Sequence, residues 1–193
     1  MVKNQLKNSE FCLKPAETKK VIYAATSFSD RCFIKTPALT AVRRAELANL
    51  DIQDIDLNRN LLQIREGKGG KSRTVQMSDE LASDLKHLIG DRKTGPVCLS
   101  QRNGPLTIRQ VNWIVAQVGK VSGVKNPNPD YDHITCHLFR HSFAIEWKKC
   151  GGSIEALSKI LGHTSVKTTL DEYGTEDLNA VRKNYTKILQ DMF

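Results

Sequence analysis

One pair of segments interrupts a chain that otherwise reads as helix. Leu61 to Glu66 and Ser72 to Met77 are two short runs of strand-forming residues, and between them lies Gly67-Lys68-Gly69-Gly70-Lys71. Two extended runs joined by a glycine-rich tip specify a β-hairpin. Most of what remains reads as helix, so the chain is held to a mixed, mainly α-helical fold with a small antiparallel β-sheet.

The helical reading rests on caps and spacing. Pro15 suits the start of a helix whose apolar residues run from Glu17 to Phe28, and Pro37 is expected to break the segment after it. Leu39, Val42, Leu47 and Leu50 then recur at near-helical spacing, with Arg43 and Arg44 among them. Ser78 opens a helix with Asp79 and Glu80 in its first turn and Gly90 as its stop. Val97-Cys98-Leu99 is expected to be a third short strand. Thr107 and Gln110 form a capping box before an apolar face of Val111, Ile114, Val115, Val118 and Val121 that ends at Gly123. Thr135 precedes a helix with Phe139, Phe143 and Trp147 four apart, and Ser153 caps another that stops at Gly162. From Thr175, Leu178, Val181, Tyr185, Ile188 and Leu189 describe a final amphipathic helix. Residues 1–10 are polar and read as a flexible segment, which leaves 11–193 as one folded domain.

Charge narrows the partner. The 193 residues carry 29 Lys or Arg against 21 Asp or Glu, a net charge of +8, which favours a polyanion, nucleic acid first. No run approaches eighteen apolar residues, and the opening lacks the apolar stretch of a signal peptide, so an intracellular, cytoplasmic location is expected. Cys12, Cys32, Cys98, Cys136 and Cys150 include no C-x-x-C pair, and reduced thiols follow.

Four segments concentrate phosphate-gripping chemistry: Arg43-Arg44-Ala45-Glu46, the hairpin tip, His137-Leu138-Phe139-Arg140, and Leu161-Gly162-His163 followed by Tyr173. Singly, each has a bland reading as a snorkelling arginine, a solvated lysine, a helix cap or a packed tyrosine. Together they hold what metal-free phosphodiester cleavage needs. A phenol can attack phosphorus, guanidiniums can hold the non-bridging oxygens, and a lysine or histidine can protonate the leaving oxygen.

In that order the segments resemble the tyrosine recombinase (phage integrase) family. Thr40-Ala41-Val42-Arg43-Arg44-Ala45-Glu46-Leu47 resembles its first arginine box, T-G-L-R-x-x-E-L, and Gly67 to Arg73 its β-hairpin. His137-Leu138-Phe139-Arg140-His141 resembles H-x-L-R-H, and Leu161 to Thr169 resembles L-G-H-x-S-x-x-T-T. Ala41 stands for the usual glycine, Phe139 for the usual leucine, and Tyr173 follows His163 by ten residues.

The resemblance implies the catalytic-domain fold of DNA breaking and rejoining enzymes, and site-specific recombination through a 3′-phosphotyrosyl intermediate. Arg43, Lys68, His137, Arg140, His163 and Tyr173 would be catalytic, with Tyr173 the nucleophile, Lys68 the acid for the 5′ oxygen and His137 assisting proton transfer at the tyrosine. Glu46 would support the arginine box, and Arg44, Lys71 and Arg73 would contact the DNA backbone. Double-stranded DNA is the implied partner, with a homotetramer assembled on it, and no cofactor or metal is required. The family usually places a core-binding domain before this region; fewer than a dozen residues precede it here, so that domain is expected to be absent. Integration or excision of a mobile element is the first expectation for its role; dimer resolution or an inactive DNA-binding relative are the alternatives. A zinc reading of His133, His137 and His141 with Cys136 is weaker, because Leu138 stands where a hydrolytic zinc helix wants glutamate.

Overall fold

A computed structural model of the chain describes residues 11–65 and 72–174. Among these, helices α1 (Pro15–Tyr23), α2 (Phe28–Thr40) and α3 (Arg44–Ala48) lead through one 3-10 turn at Ile52–Asp54 into the strands β1 (Ile55–Asp56), β2 (Leu61–Ile64) and β3 (Arg73–Gln76). Then follow α4 (Asp79–Ile89), α5 (Ile108–Ser122), α6 (Cys136–Lys149), α7 (Ile154–Leu161) and α8 (Val166–Tyr173). The strands form one antiparallel sheet in the order β1-β2-β3, with Leu62 opposite Val75 and Ile64 opposite Arg73. Leu62, Ile64 and Val75 face the core while Gln63, Thr74 and Gln76 face solvent, as the two-residue period of a half-buried sheet demands.

Most expected caps are formed. Ser78, Thr107, Thr135 and Ser153 each accept the backbone N–H three residues on, and Gly123 and Gly162 end their helices in the left-handed conformation. Asp51 and Asp56 spend carboxylate oxygens on turns, Asp51 Oδ1 accepting from Gln53 N at 3.0 Å and Asp56 Oδ1 from Asn58 N at 3.0 Å, while Asp54 accepts from Asp51 N at 3.0 Å and pairs with Arg65.

Four expectations are corrected. The segment from Glu17 to Phe28 is not one helix, because α1 stops at Tyr23 and a new helix starts when Ser27 Oγ accepts from Asp30 N. Pro37 does not break the chain; α2 passes through it. Proline removes one helical hydrogen bond, but α2 is the central helix, with Cys32, Phe33, Ile34, Pro37 and Ala38 all buried, and that packing outweighs the local cost. Val97 to Leu99 forms no strand, only flanking bridges pairing Asp51 with Pro96 and Leu99 with Pro105, and the third strand is Ile55–Asp56 instead. Val121 is 64% exposed, one position off the buried stripe of α5.

Helix α2 packs against α4 and α6, and Lys35, only 4% exposed, pairs with Glu80 and Asp84 of α4. A second, smaller apolar cluster joins Ala41, Ala144, Ile145, Leu157, Leu161 and Tyr173. It locks α6, α7 and α8 around the turn that follows α2, and this junction positions the site. No described helix is long and apolar enough to cross a membrane.

Candidate active site

Arg43 and Glu46 form the foundation. Arg43 precedes α3, where its backbone N–H donates to Glu46 Oε2 at 2.7 Å and its Nη1 donates to Glu46 Oε1 at 2.9 Å. The Arg43 side chain also donates through Nη2 to the Gly162 carbonyl at 3.2 Å, tying the first arginine box to the end of α7. From β3, Arg73 donates to both Glu46 oxygens, at 2.8 and 2.7 Å, and through Nε to the Ile160 carbonyl at 2.8 Å. Arg73 was expected at the DNA backbone. Its side chain is 8% exposed and three of its donors are used inside the protein, so its place is that of a brace between β3, α3 and α7. Gly162 is needed there on two counts: its φ is +62°, and a Cβ would come within 2.8 Å of the Arg73 side chain.

Burial by itself would raise the Glu46 carboxyl, but the hydrogen bonds from Arg73 and Arg43 prevail and pull it from 4.5 down to about 2. A carboxyl whose folded pKa is depressed stabilises the fold above its unfolded value and stops doing so as pH falls through the folded one. Glu46 should thus contribute on the order of 3 kcal/mol at neutral pH, a contribution lost between about pH 4.5 and 2. Glu46→Gln should lose about 3–5 kcal/mol at pH 7, since it leaves Arg73 buried without a counter-charge. Urea unfolding of parent and variant at pH 7, 4 and 3 checks this, and the difference between them should narrow as pH falls. An equal difference at all three pH values would contradict the assignment.

Arg140, 5% exposed on α6, lies deeper. Its Nη1 donates to the Ala41 carbonyl at 2.8 Å and its Nη2 to the Leu161 carbonyl at 2.6 Å, and Nη2 lies 3.2 Å from His163 Nε2. Burial, then the charges of Arg43 and Arg73, lower its pKa to about 10, which leaves it a cation at neutral pH. Ala41 presents its carbonyl by adopting φ +53°, the left-handed conformation that glycine would adopt freely. His163 Nδ1 lies 2.8 Å from Thr169 Oγ1. With an arginine donor at Nε2, the ring is consistent with a neutral form carrying its proton on Nδ1. Desolvation and then Arg140 keep the His163 pKa below its usual value. Thr169 was missed by sequence reasoning as a site residue, although it is the second threonine of the L-G-H-x-S-x-x-T-T run.

These residues open onto a cavity of ≈590 Å³ walled by Arg43, Arg44, Ala45, Asn112, Tyr131, His133, Thr135, Cys136, His137, Arg140, His163 and Glu172. Arg44 is exposed among these residues. Desolvation lowers the His137 pKa, and Arg140 and Arg43 add to this against the opposing charge of Glu172. Tyr131, which fits no sequence motif, and Asn112 reach the wall only through tertiary packing, so no local signal could have found them.

Although the adjacent Glu172 walls this cavity, Tyr173 is not among the residues that do. It is 3% exposed, packed in the second apolar cluster, and its hydroxyl lies 3.4 Å from His141 Nδ1. The two rings are 5.5 Å apart at 35°. The imidazole against the tyrosine is therefore His141, where His137 was expected. The spacing signal was available, because His141 follows His137 by one helical turn on α6. Burial raises the Tyr173 pKa well above 10.0, and the Glu172 carboxylate adds to this as a neighbouring charge and as a hydrogen-bond acceptor, against a smaller opposing effect of Arg140.

Lys68 and Lys71 lie outside the described residues, as does Tyr185. The described base of the hairpin ends at the pair Ile64 and Arg73, and Arg73 is fixed to Glu46, so that end of the sheet abuts the arginine box. His133 precedes α6 instead of sharing its face with His137 and His141, and among the described residues no three His, Cys, Asp or Glu side chains are grouped to hold a metal ion.

Comparison with known proteins places the chain in a family. The profile of the phage integrase family matches residues 12–179. The tyrosine recombinase XerA of Pyrococcus furiosus is 32% identical over 164 residues, covering 81% of this chain and 54% of that protein. XerC of Pelobacter propionicus is 31% identical over 163 residues, covering 82% and 51%. The chain spans about half the length of the curated relatives it matches. A crystal structure of XerA recombinase superposes with a TM-score of 0.75 at 31% identity, covering 91% of this chain and 64% of that one. The Tn1549 transposon integrase bound to transposon right end DNA has a TM-score of 0.75 at 18% identity, covering 93% and 66%, which is a likeness of fold. By the family profile that matches residues 12–179 and by its likeness to XerA recombinase, the chain belongs to the phage integrase family and has the fold of a tyrosine recombinase catalytic domain.

Proposed function

We propose that the chain cleaves and rejoins double-stranded DNA at specific sites through a covalent 3′-phosphotyrosyl intermediate. The observation that carries this reading is the cavity itself, where Arg43, Arg140, His137 and His163 share the wall with Glu172, the residue that immediately precedes Tyr173. Arg43 and Arg140 are held by Glu46 and by the Ala41 and Leu161 carbonyls, so their charge is fixed before substrate arrives, which is how preorganised donors favour a transition state. An incoming phosphate would raise the pKa values of His137 and His163, making both better donors to its oxygens. Lys68 would protonate the 5′ oxygen, and Arg44 and Lys71 would hold the DNA backbone.

Tyr173 is buried in this state, so α8 must shift for its oxygen to reach phosphorus. Binding of DNA, with its strong field and extra contacts, would favour the shifted state. A homotetramer on DNA is the assembly in which two duplexes could exchange strands. Of the two biological roles, dimer resolution is favoured over integration of a mobile element, because the relatives matched at 29–32% identity carry the names XerA and XerC.

The site supplies its own positive charge, so strand exchange should continue in excess EDTA. The measurement is recombinant product from two duplexes carrying a site enriched, from a pool of nicked random-sequence duplexes, by covalent capture on the protein. Activity that vanishes in EDTA and returns with added metal would overturn the mechanism. Adduct without recombinant product would reduce the reading to cleavage and resealing, as in a type IB topoisomerase.

A further inference from the structure

Glu172 has no part in the reading above, and its position is hard to reconcile with a bystander. It is the one acidic residue among the described lining of a cavity walled by Arg43, Arg44 and Arg140. A fixed negative charge there opposes both the entry of a phosphate and the further charge that builds on it in the transition state. The charge acts on His137 and His163, so it lies close to where the phosphate would sit. A carboxylate can occupy such a place without penalty to the reaction if it becomes neutral as the phosphorane forms.

The adjacent residue supplies the proton. Glu172 immediately precedes Tyr173 at the end of α8 and lines the cavity beside Arg43, His137, Arg140 and His163, and its carboxylate acts on the buried hydroxyl as a neighbouring charge and acceptor. The hydroxyl also lies 3.4 Å from His141 Nδ1, at the limit of a hydrogen bond. We propose that Glu172 is the general base of strand cleavage, accepting the Tyr173 proton as the phenol oxygen attacks phosphorus.

The step balances. The Tyr173 oxygen forms its bond to the scissile phosphorus, the bond from phosphorus to the 5′ oxygen breaks, the phenol proton passes to Glu172, and the 5′ oxygen takes its proton from a separate acid, assigned above to Lys68. Rejoining runs the same path backwards, and Glu172 returns the proton to the phenol. As Glu172 is neutralised its repulsion of the phosphate disappears, at the moment when negative charge on the non-bridging oxygens is greatest. The inference rests on the recombinase reading.

Glu172→Gln tests it, because the amide keeps the shape and hydrogen-bonding reach of the side chain but accepts no proton. On the captured nicked duplex, the variant should bind DNA at least as tightly as the parent yet form adduct slower by about 10² or more. Incorporating a fluorinated tyrosine at 173, whose phenol is more acidic, should speed the slow variant by at least several-fold and the parent little. Glu172→Asp, which retains a carboxylate, should cleave faster than Glu172→Gln. Cleavage by Glu172→Gln within a few-fold of the parent, or faster, would show that the carboxylate only obstructs the cavity. A slow variant that the fluorinated tyrosine does not speed would show a positioning role without proton transfer, and would also overturn the proposal. A parent that forms no adduct at all would overturn the recombinase reading and this inference with it.

Discussion

Lys68→Ala is expected to slow cleavage of an ordinary phosphodiester by about 10²–10⁴, the range for losing a positioned general acid. The 5′ oxygen leaves as an alkoxide unless a proton reaches it, whereas a sulfur in the same bridging position leaves as a stable thiolate. Lys68→Ala should therefore cleave the sulfur-bridged substrate at nearly the parental rate. Stopped single-turnover assays on both substrates measure the ratio. If sulfur leaves the variant as slow as before, the lysine positions DNA and the proton comes from elsewhere, with Lys71 or His137 next in line.

Arg140→Ala should behave oppositely. If Arg140 holds the non-bridging oxygens as proposed, about 10²–10³ in rate should be lost, and sulfur at the bridging position should restore none of it. The loss carries a second component that the structure makes visible. Arg140 satisfies the Ala41 and Leu161 carbonyls at 2.8 and 2.6 Å, and its removal leaves both without that donor. Charged hydrogen bonds contribute roughly 1.5–3 kcal/mol each, so the variant should also unfold at lower urea. Arg140→Lys separates the two effects: it keeps a cation but cannot reach both carbonyls and a phosphate in one plane, so it should recover stability in part and rate much less. Cleavage by Arg140→Ala within a few-fold of the parent would remove the arginine from the clamp.

What could be read from sequence was whatever is local. The hairpin, the capping box at Thr107 and the serine caps at Ser78 and Ser153 depend on residues three or four apart, and each is formed. The departures come from tertiary packing. Pro37 is a breaker by its own chemistry, yet α2 is surrounded by α4 and α6, and burial on every side holds it helical. Arg73 reads as one more basic residue by a hairpin tip; only the fold puts it against Glu46, which is 27 residues earlier in the chain. His141 was within reach of spacing, one helical turn after His137, but that its ring meets Tyr173 is decided by how α6 and α8 pack.

The central claim is that Tyr173 becomes covalently joined to DNA when the cavity holds a phosphate. The direct measurement is to trap the adduct on a nicked duplex, digest the protein and locate the modified residue by mass spectrometry. The modified peptide should carry the DNA on Tyr173, form equally in EDTA, and be absent from Tyr173→Phe although that variant still binds DNA. A modification on Tyr185 or Tyr131, or an adduct that persists in Tyr173→Phe, would contradict it.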